Sequence, residues 1–189
     1  LSLFIAIFFT GQLLNIPLLI TSFWAFIVFC LASSSIYIFN DLQDLEKDRL
    51  HPFKKNRPLA AGKISPKSAI ILAIVMSVIA LSFALQISMP FFFILLLFYG
   101  LQISYSLYLK NIMLLDILTI AASFFMRVFA GETATGFHLD IWLFLTVISA
   151  SLFIAIGKRR SELTLLSGFP GNIPAKVRAT LSSYSDRML

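Results

Sequence analysis

An all-α, polytopic transmembrane helical bundle is the fold class this sequence predicts, and three observations predict it. Hydrophobic residues make up 59% of the 189 positions and charged ones only 13%, at a mean hydropathy of +0.91. That is too little charge to coat the surface of a soluble domain. The apolar runs are continuous and about as long as the roughly 20 residues a helix needs to cross the hydrocarbon of a bilayer. They do not alternate in the short segments of a membrane barrel. The basic residues, finally, collect in alternate connections between these runs.

Taken in order, residues 1–14 read as the end of an earlier span. The chain starts at Leu1 directly in apolar sequence, with no Arg/Lys n-region and no small-residue cleavage site. A longer protein is therefore expected here, and not a signal peptide. Complete spans are expected at about 17–39, 67–88, 90–108 and 114–133, with a fifth at about 139–157. The 20 Phe residues, set among Ile and Leu, fit a lipid-facing surface, and the single Cys30 excludes an intrachain disulfide.

Fourteen of the fifteen Lys and Arg residues fall in the 40–67 connection, at Lys110, or in the 158–189 segment. If the spans alternate, all fourteen lie on one side, opposite connections that hold only Glu132 and Asp140. The positive-inside rule makes the basic side cytoplasmic. One membrane domain over 1–189 is expected, with cytoplasmic charged loops at 40–66 and 158–189. The bilayer is its expected surrounding, nucleic acid is not a partner, and homo-oligomerisation stays open.

The stretch NDLQDLEKDRLHPFKKNRP, beginning at Asn40, carries acids first and bases after. At ~100° per residue, Asn40, Asp41, Asp44 and Asp48 share an arc of about 100° on one helix face, and Glu46 points away. Carboxylates stacked on one face repel unless a cation sits among them. Oxygen-only ligands without Cys or His suit a hard ion such as Mg2+, which binds a few carboxylates together with substrate phosphates. The plainer alternative is a solvated helix end. His51-Pro52 stops the helix, because proline cannot continue it. Lys54, Lys55 and Arg57 follow on a loop shaped by Pro58 and Gly62. Such a loop is either a topology signal touching anionic lipid or the cationic wall of a diphosphate pocket, with Arg as a fork and Lys as a point charge.

Charge also lies at membrane depth, where ionisable groups face a cavity or a partner. Asp116 is near the cytoplasmic end of its span. Arg127 lies eleven residues further along, about 16 Å by helical rise. It is placed either to pair with Glu132 or to serve a polar cavity.

The motif NDLQDLEKD resembles the NDxxDxxxD signature of the UbiA superfamily of intramembrane prenyltransferases. The longer pattern NDxxDxxxDRxHPxKxxRPxAxG is most similar to the decaprenyl-phosphate phosphoribosyltransferase branch. Two later pieces carry the same likeness, YSLYLKNIMLLDILTIAASFFMRVFAG from Tyr105 to Gly131 and LFIAIGKRRSEL from Leu152 to Leu163. The resemblance implies about nine helices around a central cavity, of which this chain supplies five or six. Where prenyl-diphosphate users carry a second Asp-rich motif, this chain reads Gly157-Lys158-Arg159-Arg160-Ser161-Glu162. A basic cluster there suits a donor with an extra phosphate, or a lipid phosphate.

The implied activity is Mg2+-dependent transfer of 5-phosphoribose from phosphoribosyl diphosphate to a polyprenyl phosphate, at a bacterial plasma membrane and for cell-envelope glycan precursors. The residues then take parts. Asp41, Asp44 and Asp48 hold Mg2+, and Asn40 orients them. Lys54, Arg57, Lys110, Arg127, Lys158, Arg159 and Arg160 bind phosphates, while His51, Tyr105, Asp116 and Glu162 give polar support. Two rival readings are a prenyltransferase acting on an aromatic acceptor, and a transporter using Asp116 and Arg127.

Overall fold

The computed structural model describes residues 2–167, and every described segment with regular structure is helical. A 3-10 turn at Ser2–Phe4 leads into a short helix, α1 (Ile5–Phe9). The long α2 (Ile16–Gln43) is followed by α3 (Leu45–Leu50) and a 3-10 turn at Lys54–Asn56. Next come α4 (Pro66–Ile87), α5 (Met89–Leu107), a 3-10 turn at Leu109–Asn111, α6 (Met113–Thr135) and α7 (Ile141–Ser167). Five of these helices, α2, α4, α5, α6 and α7, are long and apolar enough to cross a membrane.

Local chemistry sets the helix ends. Ser65 caps α4 by accepting the Ser68 N–H at 3.1 Å, with Pro66 in the first turn where its missing N–H costs nothing. Ser88 is the only residue between α4 and α5. Its extended backbone turns the chain, and its hydroxyl accepts the Phe91 N–H at 3.1 Å and donates to the Thr133 carbonyl at 2.8 Å. Gly136, at φ +74°, closes α6 in the left-handed conformation that favours glycine.

Helix α2 packs against α4, α5 and α6. Its buried face reads Ser22, Ala25, Val28, Phe29, Ala32, Ser35 and Ile36, and α4 answers with Ala69, Ala80 and Ala84. Between lipid-immersed helices no water drives association, so small side chains that let the helices approach supply the contact. Phe29 of α2 and Phe98 of α5 add a tilted ring pair 4.6 Å apart, near the lower limit for such pairs. On the outside, Ile71 and Val78 of α4, Phe93 and Leu97 of α5, and Trp142 and Phe153 of α7 are exposed, as a lipid-facing surface requires.

Residues 2–9 form a 3-10 turn and a five-residue helix laid against α6. The start of the 40–66 connection is helical, as the shared face of Asn40 to Asp48 and the stop at His51-Pro52 require: α2 runs on to Gln43 and α3 ends at Leu50. Likewise α7 continues past 158 to Ser167, so the basic segment begins as helix. The remainder of that segment lies outside the described residues.

Candidate functional site

The C-terminal ends of α2, α5 and α7 and the N-terminal end of α6 meet at one end of the bundle, where α3 and the 51–57 segment fold over them. Together they enclose a cavity of about 570 Å³. Its outer part is lined by Asp41, Asp44, Asp48, Lys54, Arg57 and Lys110, its inner part by Ile36, Phe98, Ile120, Phe124 and Arg127.

The acidic residues arrive from a helix that breaks between them. Asp44 unwinds to φ −97°, ψ 8°, yet its N–H still reaches the Asn40 carbonyl at 3.0 Å, and its own carbonyl accepts the Asp48 N–H at 2.8 Å. The ladder thus survives the break, and all three carboxylates stay on the cavity wall. Arg57 then bridges two of them, its Nη1 standing 2.6 Å from Asp41 Oδ1 and 2.8 Å from Asp48 Oδ2. Lys110, itself buried, places its Nζ 2.6 Å from Asp44 Oδ1.

Around this core the expected support is concrete. Asn40 Oδ1 accepts a hydrogen bond from Ser106 at 2.9 Å, which fixes its amide. The buried His51 shapes the loop that carries Arg57, because its Nδ1 accepts the N–H groups of Phe53 at 3.1 Å and Lys54 at 3.3 Å. Tyr105 donates to the fully buried Asp116 at 2.9 Å. Asp116 is therefore an interior group tied to α5.

Arg127 does not pair with Glu132. Five residues apart on a helix lie about 140° apart around its axis, so the two side chains leave on different faces. Glu132 instead accepts the Leu139 N–H at 3.2 Å and stands 3.0 Å from His138 Nδ1. The Arg127 guanidinium faces three rings, with Cζ 6.0, 5.8 and 5.7 Å from the centroids of Phe29, Phe98 and Phe124.

On α7, Lys158 and Ser161 line the cavity and Arg160 does not. Two residues along a helix turn the side chain by about 200°, away from Lys158's direction. The side chains of Arg159 and Glu162 lie outside the described residues. Sequence reasoning missed Gln102 and Ser106 of α5. Gln102 and Tyr105 line the cavity and Ser106 holds Asn40, and their spacing, polar at i, i+3 and i+4 in an apolar span, was a readable sign of a stripe turned to the site.

Among the described residues no three acidic or imidazole groups converge tightly enough to hold a metal as they stand. Their oxygens are turned to Arg57 and Lys110 instead. The donor chemistry nevertheless fits a hard divalent ion: three carboxylates, all oxygen, line the same cavity.

The chain belongs to the UbiA prenyltransferase family, whose profile matches residues 1–160. It is 38% identical over 165 residues to the decaprenyl-phosphate phosphoribosyltransferase of Mycolicibacterium smegmatis, covering 87% of this chain and 51% of that protein. To the protein of the same name from Mycobacterium tuberculosis it is 34% identical, covering 87% and 53%. The chain thus spans about half the length of the curated relatives it matches. Among solved structures, a UbiA homolog from Archaeoglobus fulgidus bound to GPP and Mg2+ has the same fold. It superposes with a TM-score of 0.70 at 20% identity, over 83% of this chain and 54% of that one.

Proposed function

We propose that this chain carries the phosphate-binding half of an integral-membrane transferase. The enzyme moves 5-phosphoribose from phosphoribosyl diphosphate to a polyprenyl phosphate, at the cytoplasmic face of a bacterial plasma membrane and for cell-envelope glycan precursors. The observation that carries this reading is the charge of the cavity. Lys47, Lys54, Arg57, Lys110, Arg127 and Lys158 line it against Asp41, Asp44 and Asp48, six bases to three acids. Such a surplus is stabilised by anions, and a phosphate monoester carries about −1.5 to −2 at pH 7. The names of the most similar relatives support the same donor and acceptor classes.

The roles follow from position. Arg57, Lys54 and Lys110 take the diphosphate oxygens, Arg57 and Lys110 exchanging their carboxylate partners for phosphate. Asn40, held by Ser106, keeps the acidic face in register. Asp41, Asp44 and Asp48 are the residues that would hold Mg2+, which when bound offsets charge on the diphosphate. An oxygen of the acceptor phosphate forms the new bond to C1 of the ribose while the C1–O bond to diphosphate breaks. The electron pair leaves with the diphosphate. The acceptor oxygen is already anionic, so no base has to take a proton, and the cavity needs none.

A second reading, transfer of a prenyl group from its diphosphate, is favoured by the solved neighbours, which are described as bound to GPP or DMAPP together with Mg2+. Against it stands Lys158, a cation lining the cavity where a second metal cage would call for carboxylates. The complete protein in membranes, given Mg2+ and each donor class in turn, decides between them. The expected result is diphosphate release from phosphoribosyl diphosphate that depends on polyprenyl phosphate. Release only from prenyl diphosphates would replace the first reading with the second.

A further inference from the structure

We propose that Arg127 seats the phosphate of the lipid acceptor at the inner end of the cavity, opposite the carboxylates at its mouth; this deepens, and rests on, the phosphoribosyl-transfer reading. The first ground is the company Arg127 keeps. Arg57 is shared by two carboxylates and Lys110 is held by a third. Arg127 has no carboxylate within salt-bridge reach among the described residues, and its Nε is buried without a hydrogen-bond partner. The three Phe faces steady the cation but accept no strong hydrogen bond. A guanidinium offers five N–H donors and keeps its charge in proteins. In an apolar recess it is a standing site for an anion.

Depth is the second ground. On α6, Arg127 is eleven residues beyond Asp116, and on α2 its neighbour Phe29 is eleven before Asn40, each about 16 Å of helical rise. Displacement at C1 places nucleophile and leaving group on opposite sides of the carbon. Reacting atoms meet at roughly 3–3.5 Å, and charge-assisted hydrogen bonds to phosphate run to about 2.8 Å. A mouth-bound diphosphate, the ribose carbon, the attacking phosphate and a guanidinium behind it therefore span on the order of 14 Å. Arg127 lies at the far end of such a line.

The third ground is the recess itself. Ile36, Phe98, Ile120 and Phe124 line the cavity alongside Arg127. An anion joined to hydrocarbon satisfies both the cation and the apolar wall. The donor's 5-phosphate offers the same anion attached to a polar sugar, so the two sources have to be separated by experiment.

The test measures binding, not turnover, on the membrane-inserted protein in lipid nanodiscs. Three probes are used: a polyprenyl phosphate, the uncharged polyprenol of equal length, and phosphoribosyl diphosphate with Mg2+. The wild type is expected to prefer the phosphate over the polyprenol, and Arg127→Gln to lose that preference by roughly tenfold to a hundredfold. Its affinity for phosphoribosyl diphosphate should change less than about threefold, the loss being confined to one charged contact of the other substrate. Arg127→Lys keeps the charge without the fork and should fall between, which also serves if the Gln variant fails to fold. An unchanged phosphate-over-polyprenol ratio in a folded variant would overturn the proposal. So would a loss confined to phosphoribosyl diphosphate, which would assign Arg127 to the donor. A wild type that binds polyprenyl phosphate through Arg127 yet turns over no phosphoribosyl donor would remove the transfer reading and leave the site standing.

Discussion

Replacing Arg57 with Gln tests the outer site most directly, because one guanidinium nitrogen serves two carboxylates. The Arg57 side chain is 38% exposed, Asp41 29% and Asp48 only 7%. An exposed ion pair contributes about 0.2–1 kcal/mol, and stripping the partner from a buried charge costs about 3–5 kcal/mol. Asp48 lies near the buried limit and Asp41 near the exposed one, so Arg57→Gln should destabilise the protein by about 2–3 kcal/mol. Asp48→Asn alone leaves Arg57 with Asp41 and should cost about 1 kcal/mol. In the double variant the buried charge is already gone, so its cost should fall short of the two single costs together by about 1–2 kcal/mol. Reversible unfolding of all four proteins in detergent micelles measures this coupling. Additivity to within about 0.5 kcal/mol would refute the bridge as the organiser of the acidic face.

Two further substitutions probe the supports of the cavity. Tyr105→Phe removes the hydroxyl from the fully buried Asp116 and should cost about 1–3 kcal/mol in the same unfolding assay, with the α5–α6 contact loosened. A Cβ at Gly131 would collide with the Leu3 carbonyl, so Gly131→Ala should cost about 1–3 kcal/mol or lift the 2–9 segment off α6. Faster proteolysis of that segment in the variant is the readout, and unchanged cleavage would refute the close docking.

The spans were legible because hydrophobic length is a direct physical requirement of the bilayer. Four of the expected spans lie within a few residues of α4, α5, α6 and the start of α7. The end of α2 was harder to read. Asn40 and Asp41 are polar residues beyond an apolar run, yet their side chains line the cavity and the helix continues past them to Gln43. The acidic face was readable from spacing alone, since the backbone ladder crosses the break at Asp44. Its partners were not. Arg57 lies sixteen residues from Asp41 and Lys110 sixty-six from Asp44, separations that only the packed fold brings together. The solitude of Arg127 was half legible, because helical geometry already turns Glu132 away from it.

The same bridges bear on how the outer site would fill. Three carboxylates are balanced by Arg57 and Lys110 at 2.6 to 2.8 Å. Drawing those cations onto a diphosphate strips the carboxylates of their partners, including the nearly buried Asp48. Drawing the carboxylates onto a divalent ion strips the cations instead. Each exchange alone leaves charge uncompensated in a poorly solvated recess, which is unfavourable. Made together, they give every group a partner again. On the proposed reading, donor and Mg2+ therefore strengthen each other's binding, and by linkage the coupling is equal in both directions. Titrating phosphoribosyl diphosphate with and without Mg2+, and Mg2+ with and without the donor, should give the same ratio of affinities. The Arg57→Gln variant should shrink that ratio, because one of the exchanged partners is gone. A ratio near one in the wild type would mean that the bridges are permanent fixtures of the fold and not exchangeable contacts of the site.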